Sequence, residues 1–295
     1  MPSDTAEYYD ANTKRFLTFG LGSASGSIHR AVWAPGIGSR PEAMNYVDSL
    51  ILDELRTLTD ARRTHAGIEA HDALAQPSDA LPLAVDLGCG VGGTIAYLER
   101  HAAARYQGIT NSRVQQEIAI GRARRRGSAA AFAVDDHGDP GLYSSRLPAH
   151  GVDLVYMIES FVHARDPETV VRGVARVLRP GGRLVICDDM LAAEEAASSP
   201  TVAAFARGWH VHTLLTVDRL TAISASFGLT RVENRDLTPY VELRRPRDRV
   251  IRLIAPLIPR LGLKTPFWDN MYGGDALQRA LLGGLLQYRY VVFEA

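Results

Sequence analysis

Cysteine is nearly absent from this sequence, and none of its apolar runs is long. Its two cysteines, Cys89 and Cys187, are too few for a disulfide framework, and no CxxC pair predicts a zinc site. The most apolar segments, 152–158 and 251–258, are far shorter than the roughly 20 residues that a transmembrane helix needs. These absences exclude a secreted disulfide scaffold and a membrane-spanning protein, and they predict a cytoplasmic location.

A net charge is also missing. Basic and acidic residues number 33 each, so no overall field draws the chain to nucleic acid or to an anionic membrane. The first ten residues lack a basic stretch followed by an apolar one, so they do not resemble a secretory signal. With 295 residues and a hydrophobic content of 46%, the composition is that of an ordinary globular protein. We therefore expect a small-molecule substrate.

What the sequence does contain is a regular alternation from about residue 83 onward. Short β-branched runs alternate with amphipathic stretches, which is typical of a mostly parallel sheet with helices on both faces. The pattern predicts a Rossmann-like, doubly wound α/β fold with seven strands. The predicted strands are Leu83–Leu87, Ala104–Ile109, Ala129–Val134, Val152–Met157, Arg183–Cys187, Leu229–Arg235 and Tyr288–Phe293. The predicted helices are Gly93–His101, Arg113–Arg125, Pro167–Val177 and Val217–Phe227.

Several segments fall outside this alternation. Residues 1–80 contain a helical stretch, Pro41–Thr59, and are predicted to form an N-terminal helical cap segment. The remainder, 81–295, is the predicted Rossmann-like domain, with lid insertions at 194–215 and 237–285.

Two local patterns within the domain carry expectations of their own. The sequence RPGG at 179–182 predicts a turn between a helix and the fifth strand. The run Glu242–Ile258 has arginines on one side and aliphatic residues on the other, which predicts a lid or an oligomer surface and hence a homo-oligomer.

The most informative motif is VDLGCGVGG at 85–93, where the first predicted strand ends. Glycines such as Gly88 and Gly90 let the backbone turn sharply and approach a ligand closely. The run also satisfies GxGxxG, so a dinucleotide enzyme is an alternative. That alternative calls for a carboxylate at the end of the second strand, whereas this strand ends GITNS at 108–112. Asp86 instead suits the ammonium group of S-adenosylmethionine, through charge-assisted hydrogen bonds.

These motifs resemble those of a known enzyme family. The sequence DLGCGxG resembles the class I S-adenosylmethionine-dependent methyltransferases, and GITxSxxQ at 108–115 resembles the second-strand motif of the sterol and cyclopropane-fatty-acid types. The latter implies that Ile109, Thr110 and Gln115 contact the cofactor, with threonine and glutamine binding the ribose. YYDxxT at 8–13 is similar to the N-terminal segment of sterol C-24 methyltransferases. Within that group the sequence resembles C-methyltransferases of prenyl chains, the teleocidin and geranyl diphosphate types.

The resemblance also suggests residues farther along the chain. It implies that Asp135 faces the adenine amino group, with Asp136 as the competing choice, and that Tyr9 closes over the methionine end of the cofactor. Glu159 and His163 follow the fourth predicted strand and are both candidate bases, because ligands of doubly wound sheets lie beyond the carboxyl ends of the strands. Sterol-type enzymes have a similar ExxxH run, whose acid takes part in proton abstraction.

Trp209 lies in the first insertion, a segment expected to cover the acceptor pocket, where an indole face would stabilise a carbocation by cation–π attraction. His210 and His212 have the spacing of metal ligands, but no third ligand accompanies them, so no metal is predicted. The sequence thus predicts an S-adenosylmethionine-dependent C-methyltransferase acting on an alkene carbon of an isoprenoid-like molecule. The alternatives are an O- or N-methyltransferase of a natural product and a non-catalytic cofactor-binding protein.

Overall fold

The computed structural model describes residues 29–66, 81–243, 248, 251 and 266–295. The predicted cofactor contact of Tyr9 and most of the amphipathic run Glu242–Ile258 lie outside the described residues. Among the helices of the described part, none combines the length and the apolar character needed to cross a bilayer.

The predicted seven-stranded, mostly parallel sheet is confirmed. The strands are β1 (Leu83–Leu87), β2 (Arg105–Thr110), β3 (Ala131–Val134), β4 (Val152–Ile158), β5 (Leu178–Leu191), β6 (Thr230–Asp236) and β7 (Leu286–Glu294). Their spatial order is β3-β2-β1-β4-β5-β7-β6, and β7 runs antiparallel to both of its neighbours. The chain moves outward in one direction from β1 to β3 and in the other from β4 onward. The carboxyl ends of β1 and β4 therefore flank the switch point, where doubly wound sheets bind ligands.

The four predicted helices are present: Pro167–Val177 has the predicted bounds, and the other three differ only at their C-terminal ends. The α-helices of the described residues are α1 (Arg40–Met44), α2 (Tyr46–Ala66), α3 (Gly93–Leu98), α4 (Arg113–Arg126), α5 (Pro140–Ser145), α6 (Pro167–Val177), α7 (Pro200–Gly208), α8 (Val217–Ser226) and α9 (Pro266–Leu282). Side-chain caps fix several starts: Ser112, Asp166 and Thr216 each accept a hydrogen bond from a backbone N–H of the first turn. The predicted stretch at 41–59 is divided between α1 and α2.

The prediction of a turn at 179–182 that precedes the fifth strand is wrong. This segment belongs to β5, and its pairing with β4 shifts register between Val152 and Leu154. Gly181 adopts a φ of 72°, which lets the strand bulge without ending. The glycine and proline therefore mark a bulge within β5, because the surrounding residues still find partners in the sheet.

The core lies on both faces of the sheet, because successive side chains of a strand point in opposite directions. Val85 and Val155 belong to one buried cluster with helices α6 and α8, whereas Ala84 and Leu154 belong to another with α2 and α3. Strand β4 is buried from Val152 to Met157, as expected for a strand covered on both sides.

A smaller cluster joins α7 to α9, where two glycines bring the helix backbones close together. A Cβ atom added to Gly273 would lie 2.9 Å from the Cα of Gly208 and 2.6 Å from the Cδ1 of Trp209. The neighbouring Gly274 has more room, since its added Cβ would meet only the Trp209 ring, at 3.8 Å. The contact between α7 and α9 therefore depends on the missing side chain at Gly273.

We expect Gly273→Ala to lower the free energy of unfolding by about 1–3 kcal/mol, because the added methyl group forces α7 and α9 apart. Denaturant titration measures this change. Gly274→Ala is the matched control on the same helix. It should be neutral or stabilising by up to about 1 kcal/mol, since alanine favours a helix over glycine. Equal effects of the two substitutions would contradict the close-packing argument.

Candidate active site

A cavity opens at the carboxyl ends of β1, β2 and β4, at the switch point of the sheet. It encloses about 900 Å³ of space, part of it open to solvent. Its lining contains most of the predicted site residues that the structure describes. The lining residues are His29, Asp86, Gly88, Cys89, Gly90, Val91, Gly93, Thr94, Ile109, Thr110, Asn111, Gln115, Asp135, His137, Ile158, Glu159, Ser160 and His163.

The glycine loop after β1 has the geometry that the motif predicts. Gly88 and Gly90 both have positive φ, at 96° and 53°. A Cβ atom on Gly88 would lie 2.3 Å from the Cβ of Ser160, so no side chain fits between the two turns. The Ser160 hydroxyl donates a 2.6 Å hydrogen bond to the carbonyl of Leu87 and fixes that contact. At Gly88 and Gly90 the loop therefore brings backbone without a side chain to the cavity, as close approach of a ligand requires.

Asp86 lies at the end of β1 and is buried. Burial, and next the nearby Asp48 carboxylate, raise the pKa of Asp86 well above its usual range. The charged form of Asp86 is disfavoured until a cation compensates it. An ammonium group arriving in the cavity is such a cation.

Thr110 and Gln115 lie at the end of β2 and in the first turn of α4. Both are buried, and the Thr110 hydroxyl donates a 2.8 Å hydrogen bond to Oε1 of Gln115. This bond orients the Gln115 amide, whose nitrogen donates to oxygen acceptors such as ribose hydroxyls. The structure thus brings together the second-strand residues that the sequence predicted, including Ile109 in the lining.

Of the two candidate residues after β3, Asp135 lines the cavity, whereas the Asp136 side chain is half exposed. The Asp135 carboxylate accepts a 2.6 Å hydrogen bond from Nε of Arg146 at the rim. Placement therefore favours Asp135 over Asp136 as the residue near a bound adenine. That role stays a prediction.

Glu159 follows β4 with a φ of 50°, a left-handed conformation that is rare outside glycine. Its Oε1 accepts hydrogen bonds from the backbone N–H of Arg30 and from the Tyr288 hydroxyl, both at 2.9 Å. Its side chain is 19% exposed, so it still reaches the cavity. Strain at a residue in a cavity is a feature of functional sites.

His163 ends a short 3-10 helix and also lines the cavity. Its Nδ1 donates to the carbonyl oxygen of His210, at 3.1 Å, so the neutral ring presents Nε2 as an acceptor. Burial lowers the pKa of His163 to about 4, and neighbouring histidines contribute further. The imidazole is therefore neutral at physiological pH.

Trp209 is not among the residues that line the described cavity. Its indole N–H donates a 3.1 Å hydrogen bond to the carbonyl of Asn270 in α9, and its ring packs in the space above Gly273. The structure therefore explains Trp209 by helix packing, and its predicted contact with a substrate stays a prediction. His210 and His212 belong to no cluster of metal-binding side chains among the described residues.

The sequence did not predict the buried ion pair between His29, which lines this cavity, and Asp48. Nε2 of His29 lies 3.1 Å from Oδ1 of Asp48, and both side chains are nearly inaccessible. Burial alone would lower the pKa of His29, but the Asp48 carboxylate outweighs it and raises the pKa to about 9. Asp48 is completely buried in α2. A charged residue at a core position of a helix indicates a buried partner, and this was the signal in the sequence that could have predicted the pair.

Comparison with known proteins identifies the family. A sequence profile described as a methyltransferase domain matches residues 85–186. The chain is 32% identical over 217 residues to Methyltransferase GfsG of Streptomyces halstedii, an alignment covering 72% of each protein. This chain is a methyltransferase. The methyltransferase uses S-adenosylmethionine. Three features of the cavity fit that cofactor: the glycine loop after β1, the buried Asp86, and the polar residues Thr110 and Gln115 at the carboxyl end of β2.

Other relatives differ in the atom that they methylate. The O-methyltransferase cnsE of Penicillium expansum is 31% identical over 208 residues, covering 70% of this chain and 64% of that protein. Sterol 24-C-methyltransferase erg6 of Aspergillus fumigatus is 37% identical over 98 residues, covering 33% and 25%. Geranyl diphosphate C-methyltransferase of Streptomyces coelicolor A3(2) shares the fold, with a TM-score of 0.67, 19% identity and coverage of 100% and 99%.

The His29–Asp48 pair predicts a pH-dependent contribution to stability. The pKa of His29 is about 9 in the folded protein, above the unfolded value near 6.5. The contribution is thus fully present below about pH 6.5 and is lost as the pH rises through 9. We expect His29→Gln to cost up to about 3 kcal/mol of unfolding free energy at pH 6 and much less at pH 10. Denaturant titrations at the two pH values test this, and a pH-independent cost would refute it.

Asp86 predicts proton release when the cofactor binds, because the ligand's ammonium stabilises the ionised carboxylate. Calorimetry near neutral pH, in two buffers of different ionisation enthalpy, should detect that proton. Asp86→Asn should abolish the release and weaken S-adenosylmethionine binding about tenfold or more. Asp53→Asn, at an exposed position of α2 outside the cavity lining, is the control and should leave both quantities unchanged. A full-affinity Asp86→Asn protein would remove Asp86 from the cofactor site.

Proposed function

We propose that this methyltransferase transfers the methyl group of S-adenosylmethionine to an alkene carbon of a prenyl or terpenoid natural product. The observation that carries the proposal is the carboxylate of Glu159, which Arg30 and Tyr288 hold at the cavity by hydrogen bonds. The backbone of Glu159 has a left-handed conformation. In the described part of the chain, the contacts found for this carboxylate all involve Oε1. Its Oε2 is the oxygen that would meet an acceptor.

The charges around Glu159 support this proposal. The Arg30 guanidinium is paired through both of its terminal nitrogens with Asp189, at 2.8 and 2.5 Å. Arg30 and Asp189 thus largely neutralise each other, which leaves Glu159 as an additional negative charge at the cavity. A fixed negative charge stabilises a cation that forms beside it, and it does so more strongly where water is excluded.

The bound cofactor supplies an electrophilic methyl group on a sulfonium that is a good leaving group. The alkene's electron pair forms the new carbon–carbon bond as the carbon–sulfur bond breaks, and the adjacent acceptor carbon becomes cationic. Glu159 then accepts a proton from a neighbouring carbon, the released pair restores a double bond, and the proton later passes to water. Cyclisation of the cation is the other possible fate. Most of the rate comes from aligning the acceptor carbon with the methyl group.

Two comparisons support an isoprenoid-like acceptor. The sterol 24-C-methyltransferase is a relative in sequence, and the geranyl diphosphate enzyme has the same fold. The predicted self-association and the lid function of residues 194–215 and 237–285 belong to this proposal as well, since a water-sensitive cation calls for a covered site.

Methylation of a hydroxyl oxygen is the second candidate. The O-methyltransferase cnsE matches more of this chain than the sterol enzyme does. His163 is a neutral imidazole in the cavity, with Nε2 as its proton acceptor. In that reaction His163 would remove the hydroxyl proton as the oxygen takes the methyl group.

Product analysis separates the two chemistries. The purified protein is incubated with S-adenosylmethionine carrying an isotope-labelled methyl group and with a panel of prenyl diphosphates, prenyl alcohols and hydroxylated aromatic compounds. NMR of the product shows whether the methyl group is bonded to carbon or to oxygen. Carbon methylation is the expected result, and an O-methylated product as the only product would replace the proposed function with the second candidate.

Variants of the candidate base sharpen this test. Glu159→Gln should bind S-adenosylmethionine normally but lose on the order of a hundredfold or more in turnover, because it keeps the shape and loses the charge. Glu168→Gln, at an exposed position of α6 outside the cavity lining, is the control. Near-normal turnover of Glu159→Gln with an unchanged product would show that Glu159 has only a structural role.

A further inference from the structure

Arg30 connects the segment before α1 to the interior of the domain. Its Nη1 and Nη2 atoms donate to the two carboxylate oxygens of Asp189 in β5, and its guanidinium lies 4.6 Å from the ring centre of Tyr288. The side chain of Asp189 is 1% exposed and that of Arg30 is 16% exposed. A bidentate pair stacked on an aromatic ring in this setting has little freedom to move.

The backbone N–H and the Nε atom of Arg30 face Glu159. The backbone N–H of Arg30 donates to Oε1 of Glu159 at 2.9 Å, and the Arg30 Nε lies 3.6 Å from the same oxygen. This Nε is buried and has no hydrogen-bond partner within the described part of the chain. The Tyr288 hydroxyl donates to Oε1 from another direction, at 2.9 Å. One carboxylate oxygen is therefore surrounded by donors, while the other is left for different contacts.

We propose that Arg30 is a positioning residue for Glu159: anchored by Asp189 and Tyr288, it holds Oε1 and thereby directs Oε2 toward the methyl acceptor. The inference rests on the proposed function of Glu159 as the proton acceptor. A left-handed backbone costs about 1–3 kcal/mol at a residue other than glycine, so contacts of this kind are needed to keep Glu159 in place. Arg30 supplies two of them from one residue.

The charges around Arg30 explain why it can hold Glu159 without neutralising it. Both terminal nitrogens of Arg30 donate hydrogen bonds to Asp189, so the Asp189 carboxylate balances most of the guanidinium charge and little of it is left to neutralise Glu159. Asp188, the next carboxylate in β5, instead accepts backbone N–H bonds from Val162 and Asp189. Glu159 thus receives orientation from Arg30 while keeping its negative charge for the reaction.

The test is a double-mutant cycle with the acceptor that gives product in the labelling experiment. Arg30→Met should lower kcat by about ten- to a hundredfold, with KM and the cofactor dissociation constant within about twofold of the wild type. Arg30→Lys should recover part of the loss, because it restores a charge without the planar fork. In a Glu159→Gln background, Arg30→Met should cost nothing further. Arg183→Met, which breaks a different ion pair of β5 with Glu54 and Glu294, is the matched control and should leave kcat unchanged.

Two results would overturn the inference. One is an Arg30→Met loss that is equally large with and without Glu159, since Arg30 would then act independently. The other is a crystal structure of Arg30→Met in which the Glu159 carboxylate has not moved. The crystal structure judges the positioning role even if Glu159→Gln is fully active, an outcome that would count against the proposed function alone.

Discussion

The turns that follow β1 and β4 pack against each other so closely that the site depends on their contact. Gly88 leaves no room for a side chain beside Ser160, and the Ser160 hydroxyl is bonded to the carbonyl of Leu87. Glu159 precedes Ser160 directly and takes its left-handed conformation within the same turn. The cofactor loop and the candidate base are therefore parts of one rigid unit. Since misplacement by about 1 Å can cost a hundredfold in rate, this contact links cofactor binding to positioning of the base.

Electrostatics impose a second constraint on the same region. Asp48, Asp189 and Glu159 place acidic groups in or beside the cavity, and the basic partners found for them come from the adjacent residues His29 and Arg30. Buried carboxylates are costly without such partners, so the segment before α1 contributes to the stability of the site. The remaining negative character suits a cofactor with a sulfonium and an ammonium group. His29 and Arg30 thus couple the segment before α1 to the site by charge as well as by position.

The sequence predicted the parts of this site that are local in the chain. The loop from Asp86 to Gly90 follows a recognisable strand, and Thr110 and Gln115 lie five residues apart, so both motifs could be read directly. The partners of Arg30 lie 129 and 159 residues away, and no periodicity relates such positions. A hydrophobic pattern shows that a strand is buried, but it does not show which buried carboxylate meets which cation.

Trp209 shows a different limit of the same reasoning. A large aromatic residue in an insertion suggests a pocket lining, and the sequence alone gave no reason to pair it with glycines more than sixty positions away. In the structure Gly208 and Gly273 bring α7 and α9 together, and the indole packs in the space beside them. Helix–helix contacts through glycine leave no signature in amphipathic periodicity, because glycine contributes little to an apolar stripe.

The two candidate bases differ in what proton transfer does to the charge of the site. If His163 accepts the proton of a hydroxyl acceptor, the positive charge that leaves the sulfonium with the methyl group ends on a buried imidazole. Its pKa of about 4 means that protonation there costs about 3 kcal/mol more than for a free histidine. If Glu159 accepts the proton, a negative charge disappears just as the positive charge on the acceptor does. The second path leaves no new buried charge, and this is the physical reason for preferring Glu159 and a cationic acceptor carbon.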